Sequence, residues 1–232
     1  MTLTVATYNV HRCIGTDGRH DPDRIAAVVR ETGADVVGLQ EVDSAPRLES
    51  GVDQIVRLSQ ATGLHAVSGP TLQRHTGDYG NALLTRLPVT GFRLIDVSVS
   101  GREPRGAIDA DLVVGATRCR VVVSHFGLRA RERRVQRQLL CQALVRHHGA
   151  ALTLVLADLN EWGRARRLMD GLTPGFETRA VPSFPARWPL LAFDRVLVRP
   201  AGVLGRVRAH QSALARVASD HLPVVADIDV GA

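Results

Sequence analysis

Short β-branched runs that stop on a polar side chain constrain this chain more than any other feature. LTVATY runs into Asn9, DVVGLQ into Glu41, RVVVS into His125, and LTLVLA into Asp158 with Asn160 just beyond. Runs of this length and composition read as buried strands. An amphipathic stretch from Pro22 to Glu31 separates the first two, and another from Val52 to Ala61 follows the second, so the opening of the chain reads as α/β. GNALLTRLPV, GFRLIDVSVS, GAIDADLVV and RCRVVVSH then follow one another through short connections and read as the antiparallel strands of a β-meander. A long helix with Leu128, Val135, Leu139, Ala143 and Leu144 on its apolar side is expected before LTLVLAD. A small helix after Glu161 and two or three strands should complete the fold, the last running from Val224 to Ile228.

Strands ordinarily give way to polar loop residues, so one such ending carries little information. The recurrence carries more, because amide, carboxylate and imidazole groups are metal ligands, proton carriers and oxyanion donors. If the strand ends share one edge, as in open α/β folds, these groups surround a single crevice. The closing SDHLP adds Asp220 and His221 in the loop that enters the last strand, where neighbouring side chains can converge.

At 232 residues with 45% apolar side chains and no linker or low-complexity tract, one domain spanning 1–232 is expected. No stretch has the length and apolarity of a membrane span, and the start lacks the features of a secretory leader, so a cytoplasmic protein without integral membrane association is the expectation. Cys13, Cys119 and Cys141 have no paired spacing; they read as small buried hydrophobes in a reducing compartment, with neither a disulfide framework nor a zinc site. A net charge of +6 favours a polyanionic partner, yet all 29 basic residues are arginine, so coding bias explains part of it. No obligatory protein partner is indicated. Aromatics at 4% exclude an extended platform for stacking a single strand.

Carboxylate and amide oxygens with imidazoles nearby, and no cysteine cluster, favour Mg²⁺ or Mn²⁺ over zinc. Such ions keep several waters and bind through one or two carboxylates plus substrate phosphate, which points to phosphate chemistry.

TYNVH at Thr7, LQEVD at Leu39, YGNALLTRLP at Tyr79, EPRGA at Glu103, SHFGLRARER at Ser124, ADLNEW at Ala157, FDRVLV at Phe193 and SDHLPV at Ser219 occur in this order between residues 4 and 228. Together they resemble the endonuclease/exonuclease/phosphatase superfamily, which includes deoxyribonuclease I-like nucleases, sphingomyelinases and inositol polyphosphate phosphatases. The resemblance implies a four-layer α/β sandwich, two face-to-face mixed β-sheets flanked by helices, and a metal-dependent phosphoesterase using Mg, with Mn as the other possibility. By position it assigns Asn9, Glu41 and Asp220 to the metal, with Glu41 the principal ligand. It assigns Asp158 and Asn160 to water and phosphate, Asp194 to orienting His221, and His125 to a second imidazole. Arg105 is implied as a phosphate contact, with Arg102 as the competitor, and Asn81 lies in the GNA motif. The implied substrate is a phosphate ester, with nucleic acid among the candidates. Diester hydrolysis is the first reading, a sugar or inositol phosphomonoesterase the alternative, and a silent binding module the third.

Three further features lie outside that set. The arginines that open the long helix, Arg129, Arg131, Arg133, Arg134 and Arg137, read as a solvated face or a track for a nucleic-acid backbone. His147 and His148 at its far end suit the helix C-terminal dipole. PSFPARWPLLAFD, residues 182–194, reads as an extended loop packed beside the site.

Overall fold

The computed structural model describes residues 1–44, 53–146, 149–162 and 175–231. Twelve strands in this set build two six-stranded sheets. The first contains β1 (Thr2–Asn9), β2 (Val36–Ser44), β3 (His65–Arg74), β4 (Gly77–Thr85), β11 (Leu204–Ala209) and β12 (Val224–Asp229), in the order β11-β12-β1-β2-β4-β3. The second contains β5 (Val89–Asp96), β6 (Gly106–Val114), β7 (Thr117–His125), β8 (Leu152–Asp158), β9 (Glu177–Thr178) and β10 (Asp194–Arg199), in the order β5-β6-β7-β8-β10-β9. Each sheet has one parallel pair near its centre, β1 with β2 and β7 with β8. A parallel pair needs a crossover, and helices α1 (Pro22–Thr32) and α3 (Ala130–Arg146) supply the two.

Local chemistry sets the helix ends. Asp21 Oδ1 accepts from Arg24 N at 2.9 Å, Pro22 occupies the first turn, and Gly33 takes the left-handed conformation that ends α1. Helix α2 (Gln54–Thr62) repeats the device, with Asp53 capping Val56 N and Gly63 at its end. Strand alternation then divides the apolar residues. Leu3, Val5, Val36, Val121, Val123, Leu154 and Leu156 point into the space between the sheets. Ala6, Tyr8, Val37 and Leu39 point out to α1 and α2, while Val122, Val155 and Ala157 point to α3. Helix layer, sheet, sheet, helix layer is the four-layer sandwich that the motifs imply.

Three local expectations change. The run GNALLT is not part of the meander: β4 pairs with β2 and β3, so the chain crosses between sheets at Pro88, and only β5, β6 and β7 form the meander. Leu128 precedes α3 and Val135 faces outward, at 65% and 40% exposed; Leu144 is buried and Leu139 partly buried as expected, but Glu132, Arg133, Gln136 and Leu140 share the buried face. Cys13 and Cys119 are buried as expected, but Cys141 is half-exposed. His147, His148, the helix expected after Glu161 and the first residue of the Val52 to Ala61 stretch lie outside the described residues.

Candidate active site

The two parallel pairs aim their C-terminal ends at the same rim of the sandwich. Asn9 ends β1, Glu41 lies near the end of β2, His125 ends β7 and Asp158 ends β8. Register extends the row: His125 lies opposite Asp158, and Asp158 opposite Asp194, the first residue of antiparallel β10. Strand β12 runs antiparallel to β1 with Thr7 opposite Val224, which carries His221 in the preceding loop to the same rim.

Hydrogen bonds then join groups far apart in sequence. Asn9 Nδ2 donates to Glu41 Oε1 at 3.1 Å and to Asp158 Oδ2 at 3.0 Å, linking the two sheets. Asp158 Oδ1 accepts from Asn160 N at 2.9 Å. Asp194 Oδ2 lies 2.8 Å from His221 Nδ1, and His221 Nε2 is 3.9 Å from Asp158 Oδ2. Arg105 NH1 contacts His125 Nδ1 at 3.1 Å and Asn160 Nδ2 faces Nε2; both partners only donate and a neutral ring accepts at one nitrogen alone, so these two contacts do not select a tautomer. That Nε2 lies 3.0 Å from Asn160 Nδ2, 3.5 Å from Asp158 Oδ2 and 4.0 Å from Glu41 Oε1. Asn9, Glu41, His125, Asp158, Asn160, Asp194, His221 and Arg105 therefore form one connected cluster.

The remaining candidates sit at or beyond its edge. Asp220 is half-exposed, with Oδ1 3.9 Å from His11 Nδ1, and no hydrogen bond or ion pair joins it to Glu41 among the described residues. Asn81 is buried and donates through Nδ2 to the Gly106 carbonyl at 3.0 Å, bridging β4 to β6. Of the two competing arginines, Arg105 is buried and reaches His125, while Arg102 is exposed and makes no hydrogen bond to His125 among the described residues.

Backbone strain marks the same rim. Glu41 has φ 58° at an irregularity in the β2 to β4 register between Leu39 and Val42, and Asn160 has φ 49°. Non-glycine residues adopt this region at a cost of order 1–3 kcal/mol, and such positions concentrate at functional sites. The bulge turns the Glu41 carboxylate out of the strand, leaving its side chain 22% exposed while Asp158 is 1% exposed.

Burial and neighbouring charge set the protonation states. Burial lowers the His125 pKa well below the ordinary imidazole value, and Arg105 and His221 lower it further, so the ring stays neutral. For His221 burial also acts downward, but Asp194, with its charge and hydrogen bond, then Asp158 and Asp220 overcome it and raise the pKa to about 10. Asp158 is pushed up to about 6, first by burial and then by Asp194, with His221, Asn9 and the Asn160 amide acting against the rise.

Two groups in the cluster suit a divalent cation differently. Asp158, Asp194 and His221 offer ligand atoms within 4.8 Å of one another, but Asp194 Oδ2 already receives Ser183 Oγ at 2.5 Å and His221 Nδ1. Glu41 is the carboxylate with solvent access, and a hard cation that keeps its waters fits there better than in the dry triad. Charge agrees: five carboxylates, Glu41, Glu103, Asp158, Asp194 and Asp220, face two cations, Arg105, 3.1 Å from Glu103 Oε1, and protonated His221. A phosphate anion binds such a rim only when that surplus is neutralised.

Of three supporting groups, sequence reasoning missed the two serines and placed Phe184 only in a loop beside the site. Ser183 donates to Asp194, Ser219 Oγ donates to the Asn9 carbonyl at 2.8 Å, and the Phe184 ring lies 4.8 Å from His221. Ser183 and Phe184 sit in the PSFP stretch, where repeated prolines flagged a shaped loop, and Ser219 opens SDHLP. Neither serine carries a signal in sequence beyond its position. The loop does pack on the site through Phe184, but its tip leaves Trp188 71% exposed.

A sandwich of two mixed sheets with an amide, carboxylate and imidazole cluster at one rim is the architecture of phosphate-ester hydrolases. A family model described as Endonuclease/Exonuclease/phosphatase family matches residues 6–221, and the chain belongs to that family. It is 28% identical over 244 residues to the uncharacterized protein YbhP of Escherichia coli K12, covering 98% of this chain and 96% of that one. Its fold is similar to that of a humanized D. rerio TDP2, with TM-score 0.80 and 17% identity over 99% of both chains. It is also similar to the mannosyl-6-phosphatase Bt3783 of Bacteroides thetaiotaomicron, with TM-score 0.78, 15% identity and coverage of 97% and 98%.

Proposed function

We propose that this chain is a divalent-metal-dependent phosphodiesterase, one catalytic unit in which water attacks phosphorus in line. The observation that carries the reading is the hydrogen-bonded link from Glu41 through Asn9 to Asp158, which puts a solvent-accessible carboxylate beside a buried one across the two sheets. Glu41 would hold Mg²⁺ or Mn²⁺, with Asp220 on the outer side. The Asn9 oxygen is engaged by His11 N at 3.0 Å, so its amide N–H groups serve here to space the two carboxylates. The bound cation would supply Lewis acidity and neutralise developing phosphoryl charge.

The protein's own groups divide the remaining work. Asp158 is deprotonated above about pH 6 and so can orient a water and take its proton. Its partners Asn9 and the Asn160 amide fix the carboxylate's plane. Arg105 and Asn160, with the neutral His125 ring held between them, are donors that converge where equatorial phosphoryl oxygens would gain charge. Protonated His221, oriented by Asp194, is a charge-assisted donor to the phosphate or leaving oxygen.

Asp158→Asn and His221→Ala are each expected to lower turnover by at least about 10²-fold, the usual range for acid–base groups, with circular dichroism unchanged. Turnover within about threefold of the parent in either variant defeats the mechanism. Chelation should silence the protein, and Mg²⁺ or Mn²⁺ should restore it. A panel of plasmid and abasic DNA, RNA, phosphodiester lipids and sugar or inositol monophosphates identifies the ester. Cleavage of monoesters alone would transfer the same machinery to the phosphomonoesterase alternative.

A further inference from the structure

Several arginines on this surface have acidic partners: Arg24 pairs with Asp17, Arg57 with Asp23, Arg86 with Asp35, Arg93 with Asp109 and Arg208 with Asp227. Arg102, Arg129 and Arg131 are exposed and make no ion pair among the described residues, yet they line one cavity of about 630 Å³. Val99 and Val135 contribute apolar wall to it. Glu132, the carboxylate on its lining, is buried and turned inward, accepting from Gln136 Nε2 at 3.2 Å. Three unneutralised guanidinium groups over an apolar wall are an electrostatic demand that the chain itself leaves unmet.

The cavity adjoins the candidate site through both of its walls. The 98–105 segment is closed by Ser98 Oγ, which donates to the Arg105 carbonyl and accepts from Arg105 N, each at 3.1 Å. Arg102 thus rides on the same loop that places Arg105 on His125. On the other wall Gly127 N donates to Gln136 Oε1 at 2.8 Å, and Arg133 NH1 donates to the Leu128 carbonyl at 2.6 Å, holding the chain between His125 and Arg129. Three residues separate those two, four Cα steps or at most about 14 Å of extended chain.

We infer that this cavity is a second anion site, which holds phosphates of a nucleic-acid strand flanking the one at the reaction centre. For its occupant the inference rests on the phosphodiesterase reading. A sugar or inositol monophosphate has one anionic group and leaves the three arginines without a partner. A strand supplies several at short spacing, and its bases can lie on Val99 and Val135.

The test is binding rather than turnover. In an Asp158→Asn background, fluorescence anisotropy of a labelled single-stranded decanucleotide is measured across a salt series, with and without R102Q/R129Q/R131Q. The three substitutions should weaken binding at least about tenfold and lower the log–log salt slope by about 2, since each strand phosphate contact contributes about 0.7. A charge-matched control, R86Q/R118Q/R206Q, changes arginines at the opposite ends of β4 and β7 and on edge strand β11, and should leave the slope unaltered. Equal losses in both triple variants, no loss in the first, or capture of anionic phospholipid vesicles but not the oligonucleotide would each overturn the site. Thermal melts of both variants check that each is folded. Because anisotropy needs no catalysis, a protein that binds the strand through these arginines but cleaves no phosphate ester keeps this site and loses the catalytic reading; the converse result does the opposite.

Discussion

The carboxylate of Asp194 is buried and has one oxygen, Oδ2, serving both His221 and Ser183, while its Oδ1 has no hydrogen-bond partner among the described residues. Ser183 is thus half of what holds Asp194 in place, and Ser183→Ala should lower turnover about tenfold and stability by about 1–3 kcal/mol, the cost of leaving a charged acceptor short of a donor. Unchanged kinetics would mean that Asp194 orients His221 unaided. His221 also makes a prediction about pH. Its folded-state pKa, about 10, lies above that of a free imidazole, so its charge contributes stability in full below about pH 6.5 and loses that contribution as pH rises through about 10. In metal-free protein, the melting-temperature gap between the parent and His221→Gln should therefore narrow as pH rises from 7 to 10; a constant gap refutes the assignment. Side chains at strand ends were legible because polar groups recurring after β-branched runs are costly to bury without purpose. Ser183 was not, because its importance comes from its distance to Asp194, eleven residues away in sequence, across a turn that no pattern specifies.

At the scale of elements, α3 shows where periodicity misled. Its buried face carries Glu132, Arg133 and Gln136 in the first turns and Leu140 and Leu144 in the last, so the apolar stripe holds at Leu139 and Leu144 and fails at its start, where Leu128 and Val135 are exposed. The helix docks at its start through hydrogen bonds to the chain leaving His125, and at its end through Arg120. That fully buried guanidinium donates to Asp109, to the Leu144 carbonyl at 3.0 Å and to the Ala143 carbonyl at 3.1 Å, so a salt bridge inside β6 and β7 also caps α3. Arg120→Met leaves Asp109 buried with only Arg93 beside it and should cost about 3–5 kcal/mol in urea unfolding. Replacing both partners, Arg120→Met with Asp109→Leu, should recover much of the loss, because the unpaired charge is removed; a double variant as unstable as the single one argues against the ion pair. The sheet assignment of β4 was illegible for a related reason. Strand runs separated by short turns look like hairpins, and only Gly77–Thr85 pairing back to β2 reveals that Pro88 carries the chain across to the other sheet.

Across the whole molecule, the geometry of the candidate site depends on how closely the two sheets approach, since Asn9 and Glu41 belong to one and Asp158 to the other. Gly38 sets that approach. A Cβ built there would lie 2.8 Å from Leu156 Cβ and 3.1 Å from both Val123 methyls, backbone-anchored or tightly packed atoms in the facing sheet. Glu41 lies three residues beyond Gly38, and Asp158 two beyond Leu156, so a wedge at this point displaces both carboxylates. Gly38→Ala should therefore destabilise by about 1–3 kcal/mol, the usual penalty for overfilling a packed core. It should also lower turnover, because the 3.1 Å and 3.0 Å bonds from Asn9 to Glu41 and Asp158 cannot both persist when the sheets part. Gly91→Ala, in edge strand β5, adds the same atom to open space and provides the comparison. Loss of stability and turnover in the first variant with neither lost in the second ties the site to intersheet spacing. Full activity in a destabilised Gly38→Ala protein would instead mean that the rim holds its geometry independently of the core beneath it.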